Sequence, residues 1–294
     1  MTVNRHRFGD RKEGRRVRGL DPFNQFIPYI MPTRMEAANL YGESFNVNAA
    51  DELLQRLRRD GYKGIGLMHF AVAAYVRTLA KYPALNRFIA GRRVYSRDRI
   101  EMTMVVKREM SIEGEETTIK VCFDPADTLT EVYDRMKTEI EAIKNSPESN
   151  NTERVAAFFC MMPRLLFRFA IMLVRAMDYL DLIPRSVLAA SPFHATAMIT
   201  NTGSLGIGPV NHHLYNIGTL PVFISIGSKK VAYELDHHGN AVKNKYADMK
   251  FTIDERIADG FYFASFLREY RRLFARPESL LAPPESVAED VTGR

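Results

Sequence analysis

Two rhythms of apolar residues run through the chain and divide it into helices and strands. Between 64 and 82, Met68, Phe70, Val72, Val76 and Leu79 place apolar side chains nearly all round a helical repeat, which predicts a helix buried within the domain. Residues 48–61 give a shorter amphipathic helix, with Leu53, Leu54 and Leu57 on one face and Gly61 past its end. The second rhythm has a period of two. Met102, Met104 and Val106 alternate within 94–110, and Ile119, Val121 and Phe123 within 117–123; both read as strands, with a turn at 113–116 between them. The clearest strands are 194–202 and 220–227. Thr128 and Glu131 have capping-box spacing and open a helix to about Lys144. Beyond it, 144–152 is a polar linker. Phe251 and Ile253 end a last strand. A final helix then repeats Phe263, Phe266, Leu267, Tyr270, Leu273 and Phe274 at three-and-four spacing, until Pro277 stops it.

One apolar segment departs from a plain core pattern. Residues 163–179 are interrupted by Arg164, Arg168 and Arg175, which fall within about 40° of one another on a helix of about 100° per residue. The segment is too short and too charged to span a bilayer. It is expected to lie against the body or a neighbouring subunit; the other reading is weak contact with a membrane surface, arginines at the headgroups.

Charge changes the picture only locally. The net charge is +6, and seven basic against two acidic residues between Arg5 and Arg18 carry nearly all of it. The basic balance therefore belongs to a tail, expected to be solvated, and does not describe a nucleic-acid surface. The body is ordinary in composition, with 46% hydrophobic and 26% charged residues. Cys122 and Cys160 are far apart and read as reduced thiols, so a cytoplasmic protein with no metal site is expected. No apolar leader opens the sequence. His69 reads as a core residue with a local partner. The pairs His212-His213 and His237-His238 read as loop or surface residues, since neighbours on a strand point to opposite sides.

Between the last strand and the last helix stands a turn with four charged groups, Asp254-Glu255-Arg256-Ile257-Ala258-Asp259-Gly260. Charged turns at a strand end often carry chemistry. The plainer reading makes Asp259 a helix cap and Glu255 and Arg256 a solvated pair. The turn resembles the C-terminal signature of the chloramphenicol acetyltransferase-like acyltransferases, which include the acyltransferase cores of 2-oxoacid dehydrogenase complexes. That signature is Asp-His-Arg-x-x-Asp-Gly. Asp254, Arg256, Asp259 and Gly260 are in register, and Glu255 stands where the family has its catalytic His. Upstream, Thr200-Asn201-Thr202-Gly203-Ser204-Leu205-Gly206 resembles the family's Ser-Asn-Leu-Gly-x-x-Gly segment, whose Ser donates to the oxyanion. Thr200 is its counterpart by register, with Thr202 and Ser204 as fallbacks.

The resemblance covers about residues 20–277 and implies a two-layer α/β sandwich. It leaves a basic tail at 1–19, an apolar helical insertion at about 150–190, and a C-terminal tail at 278–294. It implies acyl transfer between coenzyme A and a small-molecule acceptor, in a homotrimer whose sites form between subunits. Glu255 is then the candidate base, Thr200 the oxyanion donor, and Asp259 a structural residue held by Arg18 or Arg34. A glutamate is a weaker base than a histidine by about two pKa units, or roughly 3 kcal/mol, so burial has to raise it. No lipoyl-like domain precedes the core, so a free-standing enzyme is expected. The alternative is a non-catalytic trimeric binding or scaffold relative that has lost the His.

Overall fold

The computed structural model describes residues 6–107, 116–145 and 161–290. Most of the turn at 113–116, most of the linker at 144–152 and the start of the insertion lie outside them.

Among these residues the strands are β1 (Gly14–Arg16), β2 (Ala38–Asn46), β3 (Arg87–Ala90), β4 (Arg93–Arg97), β5 (Ile100–Lys107), β6 (Glu116–Phe123), β7 (Ala197–Asn201), β8 (Val222–Leu235) and β9 (Ala241–Asp254). Six form one mixed sheet in the order β2-β9-β8-β7-β5-β6, and β1-β4-β3 form a smaller one. The helices are α1 (Pro22–Ile30), α2 (Asn48–Arg59), α3 (Leu67–Lys81), α4 (Leu129–Asn145), α5 (Arg164–Tyr179), α6 (Arg185–Ala190) and α7 (Gly260–Ala275). The predicted strand 94–110 is in fact two, β4 and β5, which belong to different sheets.

Alternation along the strands gives the large sheet two unlike faces. Ala197, Ile199, Ile224, Ile226, Met249 and Phe251 enter the main core, where α2, α3, α4 and α7 cover them. Phe45, Tyr270 and Phe274 pack edge-on or tilted at its centre, with ring centroids 5.0–5.4 Å apart. The capping box predicted for α4 is present: the Glu131 carboxylate accepts from the Thr128 amide at 2.8 Å, and the Glu131 amide donates to the Thr128 hydroxyl at 3.4 Å. The opposite face carries Met198, Thr200, Phe223 and Ser225. Loop 206–221 lies over part of it, with Leu214 and Leu220 packed on Met198 and Phe223.

Neither end of the described chain is a loose tail. Within the basic N-terminal segment, β1 pairs with β4 and Val17 is buried. Arg11 is buried and meets Asp178 at 2.9 Å, Lys12 donates to the carbonyls of Asp181 and Ile183, and Arg18 pairs with Asp10 at 2.8 Å. Burial would raise the Glu13 carboxyl, but Arg97, His194 and Arg11 outweigh it and hold it low. Part of the basic excess is thus spent on internal pairs, of which those of Arg11 and Lys12 pin the end of α5. At the other end, Leu280 is fully buried and Asp290 forms a bidentate pair with Arg87 at 2.6 and 2.8 Å.

His69 behaves as a core histidine. Its Nδ1 accepts from the Gly66 amide at 3.1 Å, and its ring lies on Tyr133. Burial pushes the imidazole down to about 4. An unfolded histidine near pKa ~6.5 takes up a proton that the folded one refuses, so stability falls as pH drops from about 6.5 towards 4, by at most about 3 kcal/mol. Denaturant midpoints at about pH 7 and pH 4.5 are expected to differ less in His69→Gln than in the parent. An unchanged difference would remove His69 as the source.

Candidate functional site

The charged turn after β9 is built around a buried ion pair. Asp254 is fully buried at the strand end, and Arg256 grips it through Nε at 2.7 Å and Nη2 at 2.6 Å. Arg256 also donates through Nη1 to the Met31 carbonyl at 2.7 Å. Arg256 is therefore not half of a solvated pair with Glu255. The inward turn of its two neighbours leaves Glu255 pointing out. The glutamate is exposed, and its carboxylate accepts from Asn39 Nδ2 at 2.6 Å, while its amide is tied to the Ala37 carbonyl.

Asp259 caps α7, accepting from the Tyr262 amide at 2.7 Å. Neither expected arginine holds it. Arg18 is bound to Asp10, and Arg34 donates to the Ile89 carbonyl from a buried position. The cap is a local requirement of the helix start, so Asp-Gly needs no distant partner to be structural.

The Gly-rich segment after β7 settles which hydroxyl is available. Thr202 Oγ1 is within 3.0 Å of both the Gly208 and Ile226 carbonyls, and Ser204 Oγ donates to the Asn201 carbonyl at 2.7 Å. Both fallback hydroxyls are committed to backbone. The glycines answer to packing: a Cβ on Gly203 would stand 2.5 Å from the Gly227 carbonyl oxygen, and Gly206 has φ of 77°. Thr200 differs. It is half-buried on the loop-covered face, and its hydroxyl faces the His212 imidazole, Oγ1 to Nε2 3.4 Å.

His212, read from the sequence as a loop or surface residue, is in the loop but half-buried. It sits in loop 206–221 and stacks on Phe223 with ring centroids 4.1 Å apart. Thr252 Oγ1 donates to its carbonyl at 2.5 Å, and the Val210 amide donates to Ser225 Oγ at 3.1 Å, closing the loop onto the sheet. Burial, and then the neighbouring His213, lower its pKa from the ordinary histidine value, which keeps the imidazole neutral and able to accept a proton near neutral pH. No periodicity signals this placement; the only hint is a histidine within a dozen residues of the candidate hydroxyl. His213 is exposed beside Tyr215, and His237 and His238 sit on the exposed β8–β9 turn.

Thr200 and Glu255 are not brought together within one chain. Thr200 is level with Ser225 and, across β8, with Lys250. Glu255 lies five residues further along, about 17 Å down the strand and two strands across. Among the described residues no His, Cys, Asp and Glu cluster is able to hold a metal ion, and no helix is long and apolar enough to cross a membrane.

No protein-family model and no curated protein matches the sequence. Solved structures do match in shape. A probable dihydrolipoamide acetyltransferase from Listeria monocytogenes is similar at a TM-score of 0.56 and 11% identity, over 87% of this chain and 93% of that one. A chloramphenicol acetyltransferase is similar at 0.54 and 12%, over 88% and 97%. A truncated catalytic core of the 2-oxoacid dehydrogenase multienzyme complex from Thermoplasma acidophilum is similar at 0.52 and 14%, over 88% and 97%. At these identities the likeness is one of architecture, and in architecture it spans nearly the whole chain: the protein has the chloramphenicol acetyltransferase-like acyltransferase fold.

Proposed function

We propose that the protein transfers an acyl group between coenzyme A and a small acceptor. The observation that carries this reading is the Thr200 hydroxyl facing the His212 imidazole, with Thr200 the counterpart, by sequence register, of the oxyanion-donating Ser in the resembling acyltransferases. A separation of 3.4 Å is long for a hydrogen bond, so a substrate has only a loose contact to displace. His212 takes the proton from the attacking acceptor group, which adds to the thioester carbonyl. Thr200 donates to the oxyanion of the tetrahedral intermediate. Collapse expels the coenzyme A thiolate, which takes the proton back from His212. Coenzyme A is anionic, and Lys250 supplies a cation on the same face, about 10 Å from Thr200 across two strands.

Glu255 supports a second reading, because by sequence register it aligns with the His of the resembling family. Glu255 is exposed in the single chain, so this reading needs a neighbouring subunit to close a site around it. A homotrimer sharing its sites would do so. The β8–β9 arm offers a surface for such assembly, with Val231, Tyr233 and Leu235 exposed along one side. The purified protein is expected to release thiol from at least one acyl-coenzyme A in the presence of an acceptor. Silence across a panel of donors and acceptors would leave a binding or scaffold protein of the same shape.

A further inference from the structure

The helix α5 is amphipathic in the wrong sense for a core element. Phe167, Ile171, Val174 and Met177 lie on one side of it and are half-buried. The opposite side is also apolar: Leu165, Phe169, Met172 and Leu173 are 81, 56, 59 and 50% exposed, and they span about 100° of the helix. Arg164, Arg168 and Arg175 run along one border of that outward face. They are exposed and have no ion pair among the described residues. The two acidic groups at this end, Asp178 and Asp181, are taken up by Arg11 and Lys12, so among the described residues no carboxylate compensates the positive border.

A second helix repeats the pattern and meets the first. On α1, Phe23, Phe26, Tyr29 and Ile30 are all more than half exposed, while Pro28 is buried. Its C-terminal end and that of α5 converge on the turn between β3 and β4. Arg92 donates to the Tyr29 carbonyl at 3.3 Å and lies over the Tyr29 ring. On the other side, a Cβ added to Gly91 would stand 3.3 Å from the Tyr179 carbonyl oxygen. Two helices with outward apolar faces, one of them bordered by arginines, thus end at the same turn.

We propose that α1 and α5, joined at the Gly91–Arg92 turn, form a face that docks onto an anionic phospholipid bilayer. Apolar side chains enter the acyl boundary while the bordering guanidiniums stay at the phosphates. α5 is about 24 Å long, enough to lie in the interface. Charge favours lipid over a second copy of the chain. An antiparallel two-fold contact through α5 would set arginine border against arginine border, whereas anionic headgroups complement both. The docked protein would receive acyl donors or acceptors from the surface it rests on; the docking itself does not require the acyltransferase reading.

Flotation of the full chain with vesicles tests this. Binding is expected to phosphatidylcholine–phosphatidylglycerol vesicles, with little to phosphatidylcholine alone, and to weaken as salt screens the headgroups. Replacing Arg164, Arg168 and Arg175 with Gln is expected to weaken it on the order of 100-fold, at about 1 kcal/mol per basic residue. Phe169→Glu with Leu173→Glu is expected to abolish it, with thermal melting unchanged because both positions are exposed. Equal binding to neutral vesicles, or undiminished binding by the glutamate variant, overturns the proposal. So does a glutamate variant that loses oligomeric mass in light scattering while the parent ignores vesicles, which would assign the face to a second copy.

Discussion

His212→Ala is expected to lower kcat/KM for acyl transfer by about 10²–10⁴-fold, the usual contribution of a positioned general base. The expectation rests on one contact, Nε2 of His212 against Oγ1 of Thr200, and on the stacking that holds the imidazole over Phe223. Thr200→Val should cost about 10²–10³-fold through loss of the oxyanion donor, while His213→Ala, on the exposed side of the loop, should leave the rate nearly intact. The pH profile separates a base from a merely structural ring. Burial lowers the His212 pKa, so kcat/KM should hold down to a pH below the ordinary histidine value and then fall as the imidazole takes up its proton. That limb should vanish in His212→Ala and persist in Glu255→Gln. The reverse result, an intact His212→Ala and a dead Glu255→Gln, would return the base to the C-terminal turn and place the reaction between subunits.

Local pattern made much of the frame legible. The all-round apolar helix, the Thr128–Glu131 box and the stripe on α7 are each set by interactions a few residues apart, which is why spacing reveals them. The C-terminal turn was legible in part. Its helix cap follows directly from Asp259 preceding Gly260, but Arg256, expected beside Glu255 in a solvated pair, is buried against Asp254 instead. The arginine expected to hold Asp259 was not there, since the helix start already satisfies that carboxylate. What the sequence hid is long-range. Arg11 finds Asp178, and Glu13 finds Arg97 and Thr219; no local rhythm distinguishes such a segment from a solvated basic arm. His212 was hidden for a related reason. A pair of adjacent histidines in a loop carries no sign of which ring will fold back, and only the closure of the loop onto β8 and β9 selects one.

Breaking the pair under the turn should have the largest effect on stability. Arg256→Met leaves the Asp254 carboxylate in a site with no exposure and without its two guanidinium bonds, and removal of one partner from a buried pair costs about 3–5 kcal/mol. The same substitution releases the Met31 carbonyl, loosening the chain between α1 and β2. Asp254→Asn should be comparably costly for a different reason. Arg34 is already pushed down to about 10 by burial and by the nearby Arg256, with Asp254 among the charges that oppose the fall; without that carboxylate two buried cations face each other. The double variant, Asp254→Asn with Arg256→Met, should lose clearly less than the sum of the singles, because neither charge is then left alone. Urea unfolding of the four proteins checks this, and additive losses would mean that the two groups act separately. The pair is also what turns Glu255 outward at the strand end, so any activity that depends on Glu255 should fall with it, whereas one that depends on Thr200 and His212 should survive in whatever fraction remains folded.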